Sequence, residues 1–156
     1  MHNLIKSDVM YRLNQQLRSR ACFVYDSDTR LHISSVGLYT YPGVMVVCGE
    51  RQALDYRQDT LLNPNVIVEV LSSSTEACDR GRKFQYYRML ESLREYLLIS
   101  SDRVAADLHT KGPDGQWKLT FAGNPEDTLD LQSVGCRLRL ADVYLKSGLL
   151  NYPTGG

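Results

Sequence analysis

Residues 63–100 read NPNVIVEVLSSSTEACDRGRKFQYYRMLESLREYLLIS, and the fold turns on how this stretch is parsed. Val66, Ile67, Val68, Val70 and Leu71 form an almost unbroken apolar run, the composition of a strand covered on both faces. Glu69 interrupts it and, because strand side chains alternate, shares a face with Ile67 and Leu71. A carboxylate in that setting is unfavourable unless it is paired, protonated or bound to something. Asp79 can cap a following helix, and the chain from Arg80 to Leu93 contains no proline. On a helical wheel Lys83, Tyr86, Tyr87, Leu90 and Leu93 share one face, with Gln85, Arg88 and Glu91 opposite. A lysine therefore lies on an apolar stripe, at the end of the helix nearest the strand. Glu95–Ser100, EYLLIS, reads as a short buried strand. Glu69 and Lys83 are the two charges that any reading of function must explain.

Working outward, Leu4 to Arg18 reads as an amphipathic helix, with Leu4 or Ile5, Val9, Leu13 and Leu17 at helical spacing. Cys22 to Ile33 reads as a strand broken by a turn at Asp26–Asp28. Leu38 to Cys48 reads as the next, interrupted at Pro42–Gly43 and firm from Val44. Gly49 to Asn63 is polar and reads as a surface loop. Beyond Ser100, Val104–Thr110 and Gln116–Phe121 form a hairpin across the turn Lys111–Gly115. Leu129–Leu131 and Arg137–Leu140 are further strands, Ala141–Lys146 is one helical turn or two, and Asn151–Gly156 is a frayed end. The order helix-strand-strand-strand-helix-strand, with a β-rich C-terminal extension, predicts a mixed α/β (α+β) fold.

The 156 residues fit a single domain, 1–156, with one core. A net charge of zero gives no support for broad nucleic-acid binding but leaves room for a local basic patch. No apolar run approaches the ~20 residues of a membrane span, and MHNLIKSDV lacks a signal-peptide core. The expectation is a cytoplasmic protein without a membrane partner. Cys22, Cys48, Cys78 and Cys136 show no CxxC pair, which argues against structural zinc. Cys22 and Cys48 read as small core residues. Nucleophile-elbow, Walker and zincin motifs are absent.

The string YTYPGVMVVCGE, followed by TLLNPNVIVEVLSSSTEACDRGRKFQYYRMLESLREYLLIS, resembles the Uma-two family of restriction endonucleases, a branch of the PD-(D/E)xK nuclease superfamily. The spacing of Pro42, Glu69, Ser72, Asp79, Lys83, Tyr87, Glu95 and Tyr96 carries the likeness, which extends from about His2 to Leu145. The resemblance implies a restriction-endonuclease-like core and a magnesium (or manganese) site that hydrolyses DNA phosphodiesters. It implies Glu69 as metal ligand and Lys83, moved from strand to helix, as catalytic cation. The family's Asp after the proline is Gly43 here, so the metal site is expected to be weakened or lost. Family members also carry a segment upstream of the point where this chain begins; its absence would expose an edge that a homodimer partner could cover.

Each residue also has a plainer reading. Glu69 could pair with an arginine at a strand end, Lys83 could snorkel to solvent, and Gly43 could be only a turn glycine. Asp79 reads as a cap tied to Lys83 rather than a metal ligand. Tyr86 and Tyr87 read as core ahead of substrate contact. Arg82 reads as part of a solvated helix face ahead of a phosphate track, and Tyr87 and Arg82 are the second-rank substrate-binding candidates. His2 and Asp8 could approach the site, although a lone histidine in a first turn is usually solvated, and Arg51 and Arg57 are minor candidates for backbone contact with nucleic acid. Three functions follow: a magnesium-dependent endonuclease, inactive or crippled by Gly43; a degenerate nuclease fold that binds nucleic acid or protein without cutting; and a fragment surviving as a folded dimer.

Overall fold

The computed structural model describes residues 2–54, 57–72 and 81–150, without the side chains of residues 57 and 58. Helix α1 (His2–Gln16) turns Ile5, Val9 and Leu13 inward, as their spacing predicts. It packs on a six-stranded sheet ordered β1-β4-β7-β8-β9-β10, comprising Cys22–Asp26, Val44–Cys48, Val66–Leu71, Glu95–Ser100, Ala106–Lys111 and Trp117–Ala122. Strands β7 and β8 run parallel, and their neighbours pair antiparallel. A parallel pair needs a crossover connection, and helix α2, described over residues 81–87, lies in it.

Both faces of this sheet are covered. Val66, Val68 and Val70 face α1 and the C-terminal elements, where they join Leu97, Ile99, Leu138 and Tyr144. Ile67 and Leu71 face the other way, with Tyr87, Leu90, Leu93, Tyr96 and Leu98. All six residues of β7 are buried, which explains why its sequence runs apolar instead of alternating. The C-terminal part comprises the β9–β10 hairpin, strands β11 (Thr128–Leu131) and β12 (Cys136–Arg139) as a two-stranded sheet, and helix α3 (Leu140–Val143).

Three expectations are corrected. The stretch Gly49–Asn63 is not a plain loop: it holds β5 (Ala53–Leu54) and β6 (Arg57–Leu61). These join β2 (Arg30–Ile33) and β3 (Leu38–Thr40) in a second sheet ordered β3-β2-β6-β5. The segment has little apolar character, but parallel pairing with β2 carries Thr60 and Leu61 to complete burial. Tertiary pairing there outweighs local propensity. The helix also does not continue to Leu93. After residue 87 the chain closes tighter turns, Leu90 N–H to Tyr87 O at 3.0 Å and Leu93 N–H to Leu90 O at 3.2 Å. The amides of Arg94 and Glu95 must reach the Asn65 carbonyl, at 2.8 and 3.2 Å, for β8 to start beside β7. Leu90 and Leu93 stay buried outside any helix. The proposed cap, Asp79, and the helix start at Arg80 lie outside the described residues.

The third correction concerns Cys22 and Cys48, which are joined in a disulfide. They stand opposite each other in the β1–β4 register, a proximity that only the strand pairing creates. The turn at Asp26–Asp28 forms as expected, with Asp28 N–H donating to Asp26 Oδ1 at 2.9 Å. It sends β1 and β2, adjacent in sequence, into different sheets.

Candidate active site

Glu69 lies on the β7 face that meets α2 and is 7% exposed. Lys83 Nζ is 3.8 Å from its Oε2. One helical turn on from Lys83, where i and i+4 side chains stack, Tyr87 donates its hydroxyl to Glu69 Oε1 at 3.4 Å. The Thr40 hydroxyl is 3.1 Å from the Tyr87 oxygen, so β3, α2 and β7 meet at one carboxylate. The two charges that stood out in sequence are thus brought together, and the unfavourable burial of Glu69 is offset by a cation and a hydrogen bond. Lys83 is half-buried, with 36% of its side chain exposed. Tyr87 is buried at 1% exposure and lies edge-on to Tyr96 at 5.3 Å. Arg82 is exposed, about 100° round the helix from Lys83.

Gly43 immediately precedes β4. Val44 pairs with Val68 and Met45 with Ile67, so position 43 falls beside Glu69. A Cβ at this position would lie 3.9 Å from Glu69 Cα, 3.9 Å from Lys6 Cδ and 3.1 Å from the Val68 carbonyl oxygen. Gly43 is not among the glycines with positive φ, so its backbone accommodates other residues. The tight carbonyl contact is what a side chain would have to displace, by a few tenths of an ångström.

Besides Thr40, two further residues near the site were missed in the sequence. Lys6, on α1, is partly buried and donates from Nζ to Ser27 Oγ at 2.9 Å. It flanks the inward stripe of its helix, but nothing in the sequence places a residue of α1 against residue 43. Asp107 is 5% exposed and stands on the row of Glu69, two strands away with Leu98 between them. The alternation of Asp107 with Ala106 and Leu108 was the available signal. His2 is exposed, Arg51 packs its guanidinium over Tyr25 at 5.4 Å, and the Arg57 side chain lies outside the described residues. Asp8 lines a separate surface recess with Tyr11, Arg12 and Leu145.

Magnesium needs hard anionic oxygens, chiefly carboxylates, in near-octahedral array. Residue 43 supplies none, and the ammonium of Lys83 stands 3.8 Å from Glu69. Among the described residues no group of three His, Cys, Asp or Glu side chains could hold a metal ion. Among the described residues the donors beside Gly43 are too few for a divalent cation, and Glu76 and Asp79 lie outside the described residues.

The described residues form a mixed α+β fold in which a covered strand carries a buried glutamate and a lysine enters from the crossover helix. The chain belongs to the Uma2 family, described as "Putative restriction endonuclease", whose model matches residues 1–141. It is 36% identical over 145 residues to the uncharacterized protein slr1290 of Synechocystis, spanning 92% of this chain and 74% of that one. It is likewise 36% identical over 119 residues to sll1609 of the same organism, spanning 76% and 67%. The fold is similar to a crystal structure titled as a "putative nuclease belonging to DUF820" from Anabaena variabilis, with a TM-score of 0.76 at 15% identity over 92% of this chain and 80% of that one. No described helix is long and apolar enough to cross a membrane.

Proposed function

We propose that this chain handles DNA phosphodiesters through a restriction-endonuclease-type site built on Glu69 and Lys83, and that its metal-dependent cleavage is attenuated by Gly43. The observation that carries the reading is the convergence of Lys83 Nζ on the buried Glu69 carboxylate at 3.8 Å, directly beside the position of Gly43. A carboxylate on a rigid central strand is held to the accuracy that hydrolytic chemistry requires. A lysine beside it can neutralise charge developing on a phosphoryl group. In this role Tyr87 and Thr40 position the Glu69 carboxylate rather than touch DNA. Arg82, exposed on the same helix, would meet only the outlying backbone.

The test is to assay DNA cleavage with magnesium and with manganese in the native chain and in Gly43→Asp. Restoring an anionic ligand is expected to raise cleavage by roughly two orders of magnitude, and adding Glu69→Gln should abolish the gain. Equal inertness of both proteins on plasmid, linear duplex and single-stranded DNA would sink the hydrolytic reading. A second reading, binding without cleavage, is favoured by the missing carboxylate at residue 43. It predicts binding of a labelled duplex that weakens steeply with salt. A homodimer, which light scattering would register, and a cytoplasmic location complete the proposal.

A further inference from the structure

We infer that strand β10 (Trp117–Ala122), at the edge of the six-stranded sheet, is the surface on which a second copy of this chain docks, strand against strand about a two-fold axis through Leu119. The inference rests on the homodimer named above and supplies its interface. β10 ends the sheet order, and among the described residues no strand pairs with its outer side. It pairs with β9 without a bulge from Trp117 to Ala122, and Lys118, Leu119, Thr120 and Phe121 are all exposed. Such edges are ordinarily blunted by charges, proline or a bulge. The strand WKLTFA has one lysine and neither of the others. The opposite edge, β1, differs, since only Phe23 of its five residues is exposed.

Backbone and side chains select the same pairing. Gly112 N–H donates to the Gln116 carbonyl and Lys111 N–H to the Arg94 carbonyl, each at 2.8 Å. Successive residues of an antiparallel strand turn their backbone groups to opposite sides. Lys118, Thr120 and Ala122 therefore bond to β9, and Trp117, Leu119 and Phe121 turn their N–H and C=O groups outward. These three also share one side-chain face, on which Leu119 is 56% and Phe121 65% exposed. Antiparallel pairing of two copies with Leu119 opposite Leu119 sets each Trp117 opposite a Phe121. It joins the outward backbone groups and covers the apolar side chains together. The other face supplies charge complementarity. There Lys118 comes opposite Thr120 of the second copy, and Thr120 lines a surface recess with Asp127 and Asp130. Arg137, across from Asp130 on β12, lies outside that recess. Each copy's lysine thus meets the other's carboxylates, an exchange that a two-fold axis satisfies twice. That reciprocity selects a second copy over an unrelated strand.

Light scattering across a concentration series is applied to the native chain, Leu119→Pro, Leu119→Lys and Lys118→Gln, with circular dichroism melts to verify that each is folded. Proline is tolerated at an edge position whose N–H faces outward, so Leu119→Pro keeps the hairpin and loses the pairing. Leu119→Lys keeps every backbone bond and sets two like charges face to face. Native protein should be dimeric and both Leu119 variants monomeric. The Lys118→Gln dimer should be roughly fivefold weaker, from the loss of two exposed ion pairs. Directly opposed antiparallel residues lie within disulfide reach. Leu119→Cys should therefore form a covalent dimer on mild oxidation, while the native chain and Phe23→Cys, at the other edge, should not. If the native dimer survives in both Leu119→Pro and Leu119→Lys, or if Leu119→Cys does not crosslink, this interface is overturned and the homodimer stands. A Lys118→Gln dimer as tight as the native one would overturn the recess contact. A native chain that is monomeric at every concentration would overturn the interface and the homodimer together and leave the reading of Glu69 and Lys83 untouched.

Discussion

Tyr87 was read from its place on an apolar stripe as core, and it is core; yet its hydroxyl also links Thr40 to Glu69. Tyr87→Phe keeps the packing and removes that link. It should cost about 1–3 kcal/mol, the range for stranding a buried polar partner, measured by urea unfolding. If the reading of Glu69 is right, the same variant should depress activity in the Gly43→Asp background more than its stability loss explains. Tyr144 is a comparable case on the opposite face of the sheet. Its hydroxyl lies 2.6 Å from the Ser100 carbonyl and 3.0 Å from that of Ala105. Burial pushes its pKa up to about 12, so it stays a donor at all ordinary pH values. The pair Glu69 and Lys83 was legible at this scale because each charge contradicted its apolar surroundings. Lys6 was not, since a lysine on the flank of a surface helix is ordinary until its neighbours are known.

Among the elements, β7 and α1 were legible because their burial is written in their own composition and period. Sheet β3-β2-β6-β5 was only half so. Leu61 is the single apolar anchor of β6 (RQDTL), and its partner strand determines the element. Leu61→Ala should therefore destabilise by about 2–5 kcal/mol, the range for emptying a fully buried leucine position, and urea unfolding followed by tyrosine fluorescence would register it. The Cys22–Cys48 bond ties β1 to β4 across 26 residues. Loop-closure entropy assigns such a crosslink about 3–4 kcal/mol. Reduction with dithiothreitol should lower the urea midpoint by a corresponding amount, and in Cys22→Ser with Cys48→Ser it should change nothing. Identical midpoints with and without reductant in the native chain would show that the crosslink contributes no stability.

At the scale of the molecule, the six-stranded sheet carries buried carboxylates on both faces. Glu95 is 2% exposed and faces away from Glu69, accepting hydrogen bonds from the hydroxyl and the amide of Ser133. Burial raises its pKa above the ordinary 4.5, an effect that the Ser133 bonds only partly oppose. The folded state therefore holds this proton more tightly than the unfolded chain does. Its contribution to stability is fully present below the ordinary carboxylate pKa and is lost as pH rises through the folded one. Unfolding free energies measured from acid to neutral pH should fall across that window in the native chain relative to Glu95→Gln. Parallel curves for the two proteins would refute the assignment.

The sequence by itself determined the helix α1, the doubly covered strand β7, the β9–β10 hairpin, the mixed α+β class and the two charges at odds with their surroundings, because burial on a known period leaves a local imprint. Only the tertiary structure decided which strands became neighbours. That set the pairing of β6 with β2, brought Cys22 opposite Cys48, ended α2 early so that β8 could start from Asn65, and seated Lys6 against Gly43. These are contacts between segments far apart in the chain, fixed by register and packing that no local window encodes.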